Sequence, residues 1–128
     1  MSATKSFIRP RCSIPPPDIE RLRHIVESAG RVERFIAGRT RADLDGDDQL
    51  ALAIVKSIEI VGEAAARIGM AVRAELPEIP WPEVVGMRNH LIHSYFDIDN
   101  DRVWDTATED LPKLKAIIER YLNQGVQP

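Results

Sequence analysis

One long apolar stripe constrains this chain more than any other feature. Leu50, Ile54, Ile58, Val61, Ala65 and Ile68 recur at spacings of three and four, the period of one face of an α-helix. Leu52, Val55, Ala66 and Met70 widen the apolar surface beyond that face. A helix apolar on more than one side packs between neighbours, so this segment is predicted to be the central helix of the fold. Asp47 and Asp48 open it with the charge its dipole favours. Gly62 costs about 1 kcal/mol against alanine inside a helix. With Ala64, Ala65 and Ala66 beside it, the expected return is close approach of another helix. Glu63 reads as a surface residue.

The other apolar residues follow the same period. Ile19, Leu22, Ile25, Val26, Ala29, Val32, Phe35 and Ile36 form a first amphipathic helix, with Asp18 as its N-cap and Gly38 closing it. Thr40 and Asp43 suit a capping box around one short turn, and Asp45-Gly46 is a turn signal. Leu76-Pro77-Glu78-Ile79-Pro80-Trp81-Pro82 cannot continue a helix, and Pro82 suits the first position of the next. Trp81 is expected to anchor that helix end. Val84, Val85, Met87, Leu91 and Ile92 then bury one side of a third helix. After the polar break at Asp97, Asp99, Asn100 and Asp101, a last stripe runs through Val103, Trp104, Ala107, Leu111, Leu114, Ile118 and Tyr121. Pro112 lies inside it and predicts a kink or short break. No strand pattern is visible. The expectation is an all-α up-and-down bundle of four main helices over 18–123, with a mobile N-terminal tail over 1–17 and a C-terminal tail over 124–128. The excess apolar width also suggests a helical homodimer.

Composition narrows the function classes. The 128 residues suit one domain, with no apolar run long enough to span a bilayer. The basic N-terminus lacks the apolar stretch of a secretory signal. A single cysteine, Cys12, excludes an internal disulfide framework and fits a reducing cytoplasm. The net charge of −3 is unevenly spread: residues 1–41 carry nine Lys/Arg against four Asp/Glu, and residues 42–128 carry eight against sixteen. The basic part is either a solvated helix face or a flank that guides a polyanion toward an acidic body.

Chemistry concentrates in Met87-Arg88-Asn89-His90-Leu91-Ile92-His93-Ser94-Tyr95-Phe96. If this stretch is helical, Arg88 and Tyr95 share one stripe, and Asn89 and His93 share a second beside it. A fixed cation, an amide, an imidazole and a phenol then face one site. RNA cleavage without a metal asks for such groups. A base takes the proton of the attacking 2′-hydroxyl, an acid protonates the leaving 5′-oxygen, and a cation holds the charge growing on phosphorus. Histidine fills the first two roles near neutral pH, and arginine matches phosphate with a planar fork. One histidine does not easily serve as both base and acid, and a two-fold dimer would supply a second. Other roles fit the same residues: surface or capping positions for Arg88 and His93, and a buried ring for Tyr95. His90 and His93 could form half a metal site, but no HExxH pattern or cysteine cluster accompanies them, so neither a metal nor a cofactor is expected. His24 reads as an edge or exposed histidine.

Arg88-Asn89, His93-Ser94-Tyr95 and their spacing match the Arg-x4-His-x-Tyr motif of the HEPN superfamily. The chain most resembles its HepT-like toxin branch. Ile60-Val61-Gly62-Glu63-Ala64-Ala65, Pro77-Glu78-Ile79-Pro80-Trp81, Gly86-Met87-Arg88-Asn89, Tyr95-Phe96-Asp97-Ile98-Asp99, Val103-Trp104 and Asp110-Leu111-Pro112 resemble successive blocks of that branch over residues 18–122. The resemblance implies an all-α HEPN-like fold, a homodimer with a composite cleft, and a metal-independent ribonuclease acting as the toxin of a toxin–antitoxin pair. It implies Arg88 and His93 as the catalytic pair and Asn89 as their polar support. It implies an MNT-type nucleotidyltransferase antitoxin as partner, which transfers AMP to the motif tyrosine, Tyr95. The alternative is a non-catalytic helical adaptor that binds a nucleotide or the nucleotidyltransferase.

Overall fold

The computed structural model describes residues 14–94 and 97–125. The chain is mostly helical and runs α1 (Pro16–Ile36), α2 (Asp43–Gly46), α3 (Asp48–Ala66), α4 (Met70–Glu75), α5 (Trp81–Val85), a 3₁₀ turn (Met87–His90), β1 (Ile92–Ser94), β2 (Asp97–Ile98), α6 (Asn100–Asp105), a π turn (Thr106–Asp110) and α7 (Leu111–Gly125). Along its length α1 packs on both α3 and α7, while α3 also carries α5, the 3₁₀ turn and α6. The predicted centrality of α3 therefore holds. Leu50, Ile54, Ile58, Val61, Ala65 and Ile68 are all buried. The widened face is a different matter: Val55 is buried, whereas Leu52 is 55% and Met70 76% exposed, and Ala66 is exposed too.

Local chemistry explains most of the boundaries. Asp47 caps α3 by accepting from the Leu50 N–H at 3.0 Å, a contact worth about 1 kcal/mol. Gly38 takes the left-handed conformation, φ 74°, just past the end of α1. Asp43 accepts from the Thr40 N–H at 2.7 Å, one half of a capping box. Trp81 is buried and donates from Nε1 to the Leu76 carbonyl at 3.2 Å, with the Arg73 guanidinium over its ring. Asp18 is not the cap of α1. The helix starts at Pro16, whose missing N–H costs nothing in a first turn. Asp18 sits within the first turn, buried, and accepts from the Gly69 N–H at 3.2 Å. Ile14, just before α1, is buried in the core.

Two expectations about regular structure are corrected. The predicted third helix is three short pieces, and two of the described segments pair as an antiparallel ribbon, Ile92 with Ile98 and Ser94 with Asp97. Gly62 shows why α5 stops. A Cβ there would lie 3.0 Å from the Val85 carbonyl oxygen, so α3 presses directly on the end of α5. Past that point the Asn89 N–H donates to the Gly86 carbonyl and the Leu91 N–H to that of Arg88, tighter bonds than an α-helix makes. Asp99 N–H then donates to the Leu91 carbonyl at 2.7 Å and folds the chain back. The second concerns Pro112, where the final helix is not broken but changes from α to π over Thr106–Asp110. Backbone conformation stays helical from α6 into α7, with the π turn immediately before the proline. Proline lacks the N–H that the Thr108 carbonyl would otherwise receive, and its ring crowds that carbonyl. The wider turn relieves both conflicts.

Candidate functional site

The 3₁₀ turn and the ribbon after it carry the polar residues singled out in the sequence. Tight packing at Gly62 and the fully buried Leu91 fix where this segment leaves α3. Arg88 projects from the turn toward α3. Its Nε lies 3.0 Å from Glu59 Oε2, and the Arg88 side chain is 46% exposed. Glu59 Oε1 accepts from Lys56 Nζ at 3.0 Å, so one carboxylate holds two cations. The Lys56 hydrogen bond is the main reason the Glu59 carboxyl is held below the usual range; desolvation opposes it, and the charges of Lys56 and Arg88 and the Arg88 contact add smaller lowering effects.

His93 stands where the ribbon changes register between Ile92 and Ser94. Such bulges redirect a side chain. Its Nε2 faces Asp99 Oδ2 at 3.4 Å, and its side chain is 59% exposed. The other Asp99 oxygen accepts from the Arg102 N–H at 3.1 Å as the N-cap of α6. That backbone bond is the main reason the Asp99 carboxyl is held below its ordinary value, with the His93 contact adding to it. Asp99 thus ties the imidazole to a helix terminus. A proton on Nε2 directed at this carboxylate leaves Nδ1 with its lone pair outward.

Each predicted residue has a definite position. Arg88 and His93 are brought to the surface on adjacent pieces of chain, each against its own carboxylate, and not on adjoining stripes of one helix as the spacing suggested. Asn89 is exposed on the same turn as Arg88. Tyr95 lies outside the described residues. Met87 and His90 instead line a cavity of about 530 Å³ between α5 and the α6–α7 helix, and neither Arg88 nor His93 borders it. Among the described residues no three His, Cys, Asp or Glu side chains gather as metal ligands would. No helix among them is long and apolar enough to cross a membrane.

Three residues of this arrangement are not singled out by the sequence: Lys56 and Glu59 on α3, and Asp99, which reads there only as part of a polar break. The spacing of Lys56 and Glu59, three apart on a helix otherwise rich in apolar residues, was the available signal for the first two. Nothing local pointed from Asp99 to His93, because the contact depends on the ribbon.

The Ribonuclease HepT-like family matches residues 25–121. A candidate RNase of Methanocaldococcus jannaschii is 38% identical over 95 residues, covering 74% of this chain and 87% of that one. A protein of Thermococcus cleftensis named as a probable ribonuclease HepT is 36% identical over 99 residues, covering 77% and 90%. A candidate RNase of Caldanaerobacter subterraneus subsp. tengcongensis is 31% identical over 103 residues, covering 80% and 92%. No solved structure gives a significant match.

Proposed function

The chain belongs to the Ribonuclease HepT-like family, and on that premise we propose that it is a metal-independent endoribonuclease using Arg88 and His93. The observation that carries this reading is the pair of tethers. A carboxylate orients each of the two groups, and both stay open to solvent. His93 Nδ1 takes the proton of the RNA 2′-hydroxyl as the O2′–phosphorus bond forms. Arg88 holds the non-bridging oxygens as negative charge grows on them. The phosphorus–O5′ bond breaks, and the leaving oxygen receives a proton from a second imidazole. A homodimer with a composite cleft supplies that imidazole from the His93 of a second copy. Asn89, exposed beside Arg88, contributes a polar contact to the same phosphate.

Family membership also supports a place in a toxin–antitoxin pair, with a nucleotidyltransferase antitoxin of the MNT type that transfers AMP to Tyr95. An adenylyl phosphodiester there puts negative charge within the motif that carries Arg88. A Tyr95→Phe protein should then stay toxic beside the active partner, and its silencing by that partner would remove this part of the reading.

The direct test incubates the purified protein with total cellular RNA in excess EDTA, alongside His93→Ala. Cleavage by the wild type is expected, with a fall of about 10²-fold or more in the variant. Equal cleavage by both would exclude His93 from the chemistry. No cleavage by a dimeric protein whose Tyr95 is unmodified by mass would favour a helical adaptor that binds a nucleotide or the nucleotidyltransferase.

A further inference from the structure

Glu59 serves two cations, and the reaction outlined above uses only one of them. Its two carboxylate oxygens bind Lys56 Nζ and Arg88 Nε, each at 3.0 Å. Stability does not explain the arrangement. Lys56 is 67% exposed and Arg88 46%, and ion pairs that open to water contribute little to folding. Geometry offers a better reason. Arg88 spends its Nε–H on Glu59, which leaves the end of the guanidinium fork, with both terminal nitrogens, for a ligand. Lys56 spends one of three N–H bonds. Two cations that share one carboxylate are held as neighbours, each 3.0 Å from an oxygen of the same group. Lys56 and Arg88 bring two positive charges against the one carboxylate of Glu59, with the charge of Glu63 also acting on Lys56.

Resting on the reading of Arg88 as the phosphate-facing cation, we propose that Lys56 and Arg88 form a clamp for two successive phosphates of one RNA strand, with Glu59 as its positioning residue. Arg88, planar and able to bond two oxygens at once, takes the phosphate that reacts. Lys56, a compact charge on a flexible stem, takes its neighbour and tolerates variation in strand geometry. Glu59 fixes the distance and direction between the two, and so the direction in which a strand crosses the site.

The clamp is tested with a strand the protein cannot cut, a short 2′-O-methyl oligouridine whose nucleophile is blocked. Its affinity is measured by fluorescence anisotropy over a salt series. Each phosphate neutralised on a single strand contributes about 0.7 to the slope of log affinity against log salt. Lys56→Ala should weaken binding and flatten the slope by about that amount, and Lys56→Arg should restore it. Glu59→Ala keeps both cations but frees them, so kcat on cleavable RNA should fall while KM does not rise. An unchanged slope in Lys56→Ala overturns the clamp whether or not the protein cleaves RNA, and so does faster cleavage by Glu59→Ala. A flattened slope in a protein that cuts no RNA keeps the clamp and removes the ribonuclease reading.

Discussion

Helix α3 and the segment from Trp81 to Ile98 carry apolar residues at the same helical spacing, yet only α3 is one continuous helix. Helix α3 has a side-chain cap at Asp47, nineteen residues and buried neighbours along its length. The other segment starts as a helix of five residues, reaches Gly86 and the surface of α3, and becomes a turn and a two-stranded ribbon. The regular element gives position. The broken one supplies the exposed polar groups, because its short pieces redirect side chains that a continuous helix would hold in stripes. The two regions meet where Arg88, from the broken one, reaches Glu59 on the regular one.

Substitutions that truncate each region from inside probe this division most strongly. Ile54 in α3 and Leu91 before the ribbon are both essentially inaccessible. Replacing either by alanine should cost about 2–5 kcal/mol in urea denaturation. Below the melting transition, Leu91→Ala should also lose most RNA cleavage, because Leu91 anchors the segment between Arg88 and His93, while Ile54→Ala keeps it. Equal loss of cleavage in both would dissolve the distinction between scaffold and working segment.

A smaller effect is expected at the boundary between the two. A Cβ at Gly62 would meet the Val85 carbonyl at 3.0 Å, whereas one at Gly46 meets nothing within 4 Å. Gly62→Val should lose about 1–3 kcal/mol by overpacking and reduce cleavage with it. Gly46→Ala serves as the control and should cost no stability. If Gly62→Val is as stable as wild type, α3 does not set the end of α5.

The smallest expected effect is acid sensitivity. Glu59 in the scaffold and Asp99 at the ribbon both have folded-state values held below the ordinary one. The unfolded chain therefore binds more protons as pH falls toward and below about 4. The stabilisation is fully present above that range and disappears as pH drops through the lowered folded values. Asp99→Asn should lower stability at neutral pH toward the wild type's low-pH level and so flatten the acid limb of stability against pH. An unaltered acid limb would mean that the Arg102 and His93 contacts do not hold the carboxylate in solution.

Legibility in the sequence followed the range of the interactions. Buried stripes of α1, α3 and α7 could be read from spacing, since a long amphipathic helix repeats its signal over several turns. Gly38, Asp47 and Trp81 could be read because caps and turns are decided by residues close in sequence. A strand of three residues such as Ile92–Ser94 cannot show a period, and its apolar neighbours also fit a helix, so the third helix was read too long. Leu52 and Met70 widen the apolar surface of the sequence yet are exposed, because hydrophobicity alone does not say which side of a helix has a neighbour.

The sequence by itself determined the mostly helical class, the central helix and the family motif around Arg88 and His93, all of which rest on residue identity and short-range spacing. Only the tertiary structure decided that Arg88 meets Glu59 across 29 residues of chain, that His93 turns to Asp99 through a bulge, and that Lys56 shares the carboxylate holding Arg88. The reason is physical: a helix period fixes angles around one axis, whereas these contacts depend on where separate axes and a reversed chain come to rest once the core is packed.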